Sequence, residues 1–376
     1  MSDGSTALPR WIDIGLIPIL NVMMALVVSG LIIVAIGESP LEAVQIMLNG
    51  AFGYEEGIGY TLYYATNFVF TGLAVAVAFH AGLFNIGGEG QAYIGGLGAG
   101  LTILALDSLL PPVLVVPLGI LAAGLFGAAW ASIPAYLQAY RGSHIVITTI
   151  MFNFIASALM VYLLVNVLIK PGQMSPESRE FEAGAQLPFM HEILGWFGIE
   201  VAHSPLNASI IWALLCCVGL WFFIWRTRWG YEIRAVGFNE KAAVYAGIRP
   251  AKMVMLAMFV SGALAGFVGV NEVMGVHHRL LLNFTAGYGF TGIAVSLMGR
   301  NHPFGIVMAS LLFGLLYQGG AELAFEVPTI TRELVVVIQG LVILFSGALA
   351  YMSTPWVTWV YVRLTRKSSV VLTGAT

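Results

Sequence analysis

Apolar residues run along this chain in long uninterrupted stretches, with polar and charged positions gathered into short intervals between them. No Asp, Glu, Lys or Arg occurs from Ile14 to Gly37, Gly142 to Ile169, Val201 to Trp225, Met253 to Asn271, or Leu334 to Val362. A helix needs about 20 apolar residues to cross the hydrocarbon core of a bilayer, so these stretches predict membrane spans. The first half of the pattern places helices at Gly15 to Ile36, Tyr60 to Leu83, Gln91 to Leu106, Val113 to Ala139 and Ile145 to Ile169. The second half places them at Ser209 to Trp225, Ala251 to Met274, Tyr288 to Leu297, Phe304 to Gln318 and Glu333 to Met352. The expectation is an all-α integral membrane protein of about ten transmembrane helices, in which short elements such as Tyr288 to Leu297 are broken or re-entrant.

Composition supports lipid as the solvent: of 376 residues 59% are hydrophobic and 9% charged, against roughly a quarter charged in a soluble domain. The apolar run after Arg10 is too long for a signal sequence and reads as a retained first helix. Basic residues set the orientation. With the N-terminus inside, Arg10, Arg141, Arg226, Arg228, Arg234, Lys241, Arg249, Lys252, Arg300, Arg363, Arg366 and Lys367 fall on the cytoplasmic side, against Lys170, Arg179, Arg279 and Arg332 outside. That bias puts both termini in the cytoplasm.

The pattern makes residues 1–376 one transmembrane domain with two sizeable segments outside the membrane. The external loop 170–207 holds Pro171, Pro176, Pro188 and Pro205 with a cluster of acids, and suits a solvated connector or a surface for an extracytoplasmic partner. The cytoplasmic segment 226–252 has the densest basic charge of the chain. In it Asn239 suits an N-cap, Glu240 a first turn and Gly247 a C-cap, and Pro250 ends the element, which predicts a helix of about two turns.

Little here suggests enzyme chemistry. No Lys follows a Gly, so the GxxxxGK[ST] phosphate-binding loop is missing from the sequence. Cys216 and Cys217 are adjacent in an apolar run and read as packing residues, without CxxC spacing for a metal. His277 and His278 read as interfacial residues. Among the 44 glycines, Gly262 and Gly266 of SGALAG and the cluster Gly95, Gly96, Gly98 and Gly100 are spaced for close helix contact.

Three segments carry a family resemblance. AGLFNIGGEGQAYIGG, from Ala81 to Gly96, resembles the signature of permeases in nucleoside and simple-sugar ABC importers that work with a basic-membrane-protein-type lipoprotein. GYEIRAVGFNEKAAVYAGI, from Gly230 to Ile248, is similar to the cytoplasmic coupling segment of the wider superfamily of branched-chain amino-acid and ribose permeases. TGIAVSLMGRNHPFG, from Thr291 to Gly305, is similar to the nucleoside-type branch. Gly88 stands where an Ala is frequent in that signature.

The resemblance implies a permease subunit in a bacterial cytoplasmic (inner) membrane that moves nucleosides by alternating access. It implies as partners a second permease chain, two copies of a cytoplasmic ATPase that holds the ATP and Mg, and a substrate-binding lipoprotein. No cofactor, metal or nucleic acid is expected on this chain, only solute and membrane lipid. The coupling contact would fall on Arg234, Gly237, Asn239, Ala242, Ala243, Gly247 and Ile248. A permease for ribose-like sugars or branched-chain amino acids is the alternative, followed by an ion-coupled secondary transporter built around Glu89.

For the solute pathway the candidates are polar or aromatic residues stranded in apolar surroundings: Asn67, Phe84, Asn85, Glu89, Gln91 and Asn153. An amide facing lipid is costly, so Asn67 and Asn153 should face the pathway or bond to a neighbouring helix. Glu89 falls in the turn between two predicted spans, where Gly87, Gly88 and Gly90 disfavour a straight helix. Phe84, Asn85, Glu89 and Gln91 would then sit together against solute. Otherwise Glu89 accepts hydrogen bonds from backbone N–H groups freed by the break.

Overall fold

The computed structural model describes residues 16–345 continuously, with positions 9, 12, 355–359, 361 and 363 on either side. Helices α1 (Ile17–Ile36), α2 (Pro40–Phe52), α3 (Glu55–His80), α4 (Gly88–Leu106), α5 (Pro112–Arg141) and α6 (Ile145–Asn166) form the first half. Then come α7 (Met190–Gly195), α8 (Ser209–Arg226), α9 (Arg228–Phe238), α10 (Glu240–Tyr245) and α11 (Pro250–Gly266), which leads into a π-helical segment, Val270–His277. The last described helices are α12 (Tyr288–Met298), α13 (Pro303–Glu326) and α14 (Arg332–Ile343). No named strand occurs among the described residues. Continuation of the last helix to Met352, and the chain termini, lie outside them.

Seven helices among the described residues are long and apolar enough to cross a membrane: Ile19–Ile36, Glu55–His80, Pro112–Arg141, Ile145–Asn166, Ser209–Arg226, Pro250–His277 and Pro303–Glu326. The glycine-rich, 19-residue α4 and the 11-residue α12 are not among these, and each follows a break in the helical chain. Two elements exceed the expectation. The amphipathic α2 carries Glu42 in its first turn, and α9 runs directly into the expected α10. Helix α3 begins at Glu55, five residues before the apolar run, because Glu55 and Glu56 favour the positive N-terminal end of its dipole.

The chain divides into two compact units, residues 1–47 with 319–376 and residues 48–318. In the smaller, α1 packs on α14, Gly319 meets the Met47 backbone, and the Thr329 hydroxyl donates to Glu38. The larger is built around α3, the most buried of the apolar spans. Glycines set its helix spacing: a Cβ on Gly127 would lie 3.0 Å from the Gly266 Cα, and one on Gly95 would lie 2.7 Å from the Gly266 carbonyl oxygen. Helices α4, α5 and α11 therefore approach backbone to backbone, as the spacing of small residues predicts.

The segment after α6 is laced to the π-helix and its exit. Backbone N–H groups of Ser178, Phe181 and Leu187 donate to the carbonyls of Leu280, His278 and Met274 at 2.9, 2.8 and 2.9 Å. Arg179 grips Asp107, at the end of α4, with both terminal nitrogens at 2.8 and 2.7 Å.

Candidate functional site

Two breaks in the helical architecture meet. The first joins α3 to α4 through residues 81–87, with Gly82 in the left-handed region at φ 72°. The second precedes α12, where Ala286 and Gly287 have φ of 44° and 82°. Helix α4 already starts at Gly88, so Glu89 sits in its first turn and not in the turn between spans. Gly88 and Gly90 do not break the helix. They thin it, since a Cβ on Gly90 would lie 2.9 Å from the Asn153 Cα and one on Gly88 would lie 3.3 Å from the Gly289 carbonyl oxygen.

Glu89 joins the breaks. Its Oε1 accepts from the Thr285 hydroxyl at 2.5 Å and the Gly287 N–H at 2.9 Å, and its Oε2 accepts from the Gly289 N–H at 2.8 Å. The carboxylate thus lies in the first turn of α4 and satisfies orphan donors at the start of α12, two positive helix ends at once. Helix ends of this kind bind anions, and here the protein supplies its own. Only Gly fits at 289, because a Cβ would lie 2.5 Å from the Glu89 Cα.

The other expected pathway residues separate from one another. Asn85 and Gln91 are fully buried and pair through both amides: Asn85 Nδ2 donates to Gln91 Oε1 at 2.9 Å and Gln91 Nε2 returns to Asn85 Oδ1 at 3.1 Å. Asn85 Nδ2 also donates to Ser261 Oγ, whose hydroxyl donates to the Ala74 carbonyl, and Gly87 N–H turns back onto Asn85 Oδ1. Phe84 points the other way, 36% exposed, its ring 5.4 Å from that of Phe79. Asn153, on α6, donates to the Ile86 carbonyl at 3.0 Å and accepts from the Gly90 N–H at 2.9 Å. Its amide takes the place of a backbone partner for the broken segment.

Asn67 belongs to a second polar centre that sequence reasoning missed. Its Nδ2 donates to Glu272 Oε1 at 2.5 Å, and the Tyr63 hydroxyl lies 2.7 and 2.8 Å from the two carboxylate oxygens. Glu272 is 1% exposed, with His277 Nε2 3.4 Å from Oε2. The Tyr63 hydroxyl shares a further hydrogen bond with Tyr288. Asn67 Oδ1 is buried without a partner. Beside this centre, Tyr64, Phe68, Tyr288 and Tyr317 form one aromatic cluster, with ring centroids 4.9 to 6.5 Å apart. The available signal was a Glu inside the apolar run that continues from Pro250 to His277. A π-helix at that point agrees with the tendency of π-bulges to occur at functional sites.

In the segment joining α8 to α11, Asn239 caps α10 by accepting from the Ala242 N–H at 3.1 Å. Gly247 closes the helix at φ 79°, and Ile248 N–H returns to the Ala243 carbonyl. Ala243 faces inward at 2% exposure, whereas Phe238 and Tyr245 are 95% and 94% exposed. Arg234 Nε is buried without a partner. Gly237 is set against the α3–α4 break, its Cα 3.2 Å from where a Cβ on Gly82 would lie.

Seven apolar helices among the described residues, packed around two abutting breaks, are those of a multi-pass membrane protein. Residues 57–347 match the family described as the branched-chain amino acid transport system permease component, and the chain belongs to that family. It is 36% identical to the guanosine ABC transporter permease protein NupP of Bacillus subtilis, over 89% of this chain and 93% of that one. With the glucose ABC transporter permease protein TsgB13 of Haloferax volcanii it shares 35% identity, over 91% and 89%. With the nucleoside ABC transporter permease protein NupB of Lactococcus lactis it shares 32%, over 88% and 90%.

Proposed function

We propose that this chain is a membrane-spanning subunit of an ATP-binding-cassette importer that carries nucleosides across a bacterial cytoplasmic membrane by alternating access. The observation that carries the reading is the junction of the two breaks. Phe84, in the first break, and Phe290, in the first turn of α12 after the second, are 36% and 49% exposed, which suits stacking on a nucleobase. Between the segments lies the half-buried Glu89, whose remaining lone pairs can accept from ribose hydroxyls. Asn85, Gln91, Asn153 and Asn67 then act as positioning residues that hold this geometry. The names of two relatives, a guanosine and a nucleoside permease, favour the same solute class.

In this reading the chain pairs with a second permease, and two ATPase subunits hold ATP and Mg. A lipoprotein delivers solute at the 167–208 segment, on the side opposite α9 and α10, and both termini are cytoplasmic. Phe238 and Tyr245, the exposed aromatics of α9 and α10, are the anchors for the ATPase, in keeping with the weight aromatics carry at interfaces. A simple sugar is the second reading, favoured by the glucose permease among the relatives. Vesicles holding the full complex, offered labelled nucleosides, glucose, ribose and leucine, test it. ATP-dependent uptake of nucleosides alone is expected; uptake of glucose with no nucleoside uptake would reject the nucleoside reading.

A further inference from the structure

Asn207 lies two residues before α8, at the end of the segment that follows α6, and its side chain turns inward. The Met190 N–H donates to the Leu206 carbonyl at 2.8 Å and the Ala208 N–H to the Pro188 carbonyl at 3.1 Å. These bonds set Asn207 opposite Phe189 in an isolated antiparallel bridge. The Asn207 amide is fully buried and serves two elements. Its Oδ1 accepts from the Ser209 N–H at 3.0 Å, one of the orphan donors at the start of α8. Its Nδ2 donates to Asn271 Oδ1, on the π-helical segment, at 2.9 Å, and the Ser209 hydroxyl donates to the same oxygen at 2.7 Å. Gly275, four residues further along the π-helix, leaves the space, since a Cβ there would lie 2.5 Å from Asn207 Oδ1.

Capping α8 needs only the acceptor of this amide. The donor, and the room that Gly275 gives it, serve the π-helix. From Asn271 the hydrogen bonds continue inward. Asn271 Nδ2 donates to the Tyr63 carbonyl at 3.4 Å, the longest bond of the series, and the next residue, Glu272, accepts from the Tyr63 hydroxyl at 2.7 Å. Tyr63 is thus held by its backbone and by its ring from two consecutive residues. Its hydroxyl is shared with Tyr288, the first residue of α12. On either side of Tyr288, the N–H groups of Gly287 and Gly289 hold Glu89. Asn207, Ser209, Asn271, Glu272, Tyr63 and Tyr288 are all buried.

We propose that Asn207 is a positioning residue for the junction of the two breaks. Through Asn271, Glu272, Tyr63 and Tyr288 it sets where α12 begins, and with it the donors that reach Glu89. A buried donor or acceptor that loses its partner pays the full cost of desolvation, so a displacement of the Asn207 amide is passed to Asn271. Coupling between separated sites runs through contiguous hydrogen-bond networks of this kind. The 167–208 segment and the junction therefore form one hydrogen-bonded unit. That the junction receives solute rests on the function proposed above; that Asn207 holds it rests on the bonds alone.

Hydrogen exchange in the full-length chain in lipid nanodiscs, read by mass spectrometry, tests this. Asn207→Leu replaces the amide with an apolar group and removes both of its hydrogen-bonding ends. Exchange is expected to quicken about two- to tenfold, the effect of one hydrogen bond, at residues 270–277 and 285–291 as well as at 203–212. Helices α5 and α6 should keep wild-type rates, because local opening is confined to the coupled unit. Should Asn207→Leu not assemble, Ser209→Ala takes one of the two donors from Asn271 Oδ1 and leaves the cap on α8. It is expected to quicken the same remote residues about twofold. Wild-type exchange at 285–291 in whichever variant assembles would reduce Asn207 to a local cap, and an equal rise over α5 and α6 would show general loosening. Either result overturns the proposal. No solute enters the experiment, so its outcome is independent of whether nucleosides are carried.

Discussion

Gly237, near the end of α9, packs backbone to backbone against the end of α3: a Cβ there would collide with the His80 carbonyl oxygen and lie 2.7 Å from the Gly82 nitrogen. The expected coupling segment therefore touches the expected solute-site signature directly. Neither backbone atom can yield as a flexible side chain would. Gly237→Val is expected to push α9 away from the break at an overpacking cost of about 1–3 kcal/mol. ATP hydrolysis by the assembled complex should persist while nucleoside uptake falls, measured side by side in vesicles. Unchanged uptake would show that this contact carries no coupling.

Phe238 and Tyr245 make the complementary case. Almost fully exposed, they contribute little to the permease's own packing. Phe238→Ala and Tyr245→Ala are expected to leave the melting temperature within experimental error and to weaken co-purification of the ATPase, each by 1 kcal/mol or more on the scale of about 1–4 kcal/mol for interface anchors. Ala243, by contrast, is buried, so a bulky residue there should lower the melting temperature first.

Apolar run lengths made the spans legible in the sequence, and cap residues made α10 legible down to Asn239 and Gly247. Partners were not legible. Counting apolar residues up to the first charge stopped at Asn271 and so passed over Glu272, whose partner Tyr63 lies 209 positions away. Helix α2 escaped notice because Glu42, Gln45 and Asn49 interrupt its apolar positions. Glu89 was singled out for its isolation, but the donors that claim it come from residues 285–289. Glycines read as helix weakeners at 88 and 90 are instead points of close approach to α12 and α6, a distinction set by what stands opposite each Cα.

Glu89→Gln distinguishes charge from shape at the junction. The amide oxygen can keep the Thr285 and Gly287 donors, but its NH2 then faces the Gly289 N–H. Loss of the negative charge beside two helix ends and of one acceptor is expected to cost about 1–3 kcal/mol. The complex should still assemble and melt a few degrees lower. A changed KM for nucleosides, beyond a uniform fall in rate, is the outcome expected if Glu89 also meets solute.

The Asp107–Arg179 pair gives the segment after α6 a pH dependence. The Arg179 guanidinium beside it holds the Asp107 carboxyl below the usual carboxylate range. A folded-state value below the unfolded one contributes stability that is present above the unfolded pKa, about 3.9, and is lost as pH falls through the folded value. Arg179 is 39% exposed, so solvent screening limits the pair to about 1 kcal/mol or less. Limited proteolysis at neutral pH should cut residues 170–207 faster in Asp107→Asn than in wild type. The difference should shrink as the wild type is taken below about pH 4.

Glu272 tests whether the buried polar centre holds the larger unit together. Its buried carboxylate serves the Tyr63 hydroxyl and the Asn67 amide, so removing it leaves the Asn67 donor unmatched and the Tyr63 hydroxyl with Tyr288 alone. Glu272→Leu is expected to cost about 1–3 kcal/mol for each donor it leaves unmatched, and so more than Glu272→Gln. Glu272→Gln keeps one oxygen for Tyr63 and should cost about 1–3 kcal/mol. Tyr63→Phe removes one donor together with the Tyr288 contact, and in combination with Glu272→Leu its effect should be less than additive, as for residues in one network. Thermal unfolding of the four proteins in the same detergent checks the order. Strict additivity would mean that Tyr63 and Glu272 act independently and that the orphaned Asn67 donor accounts for the loss in Glu272→Leu.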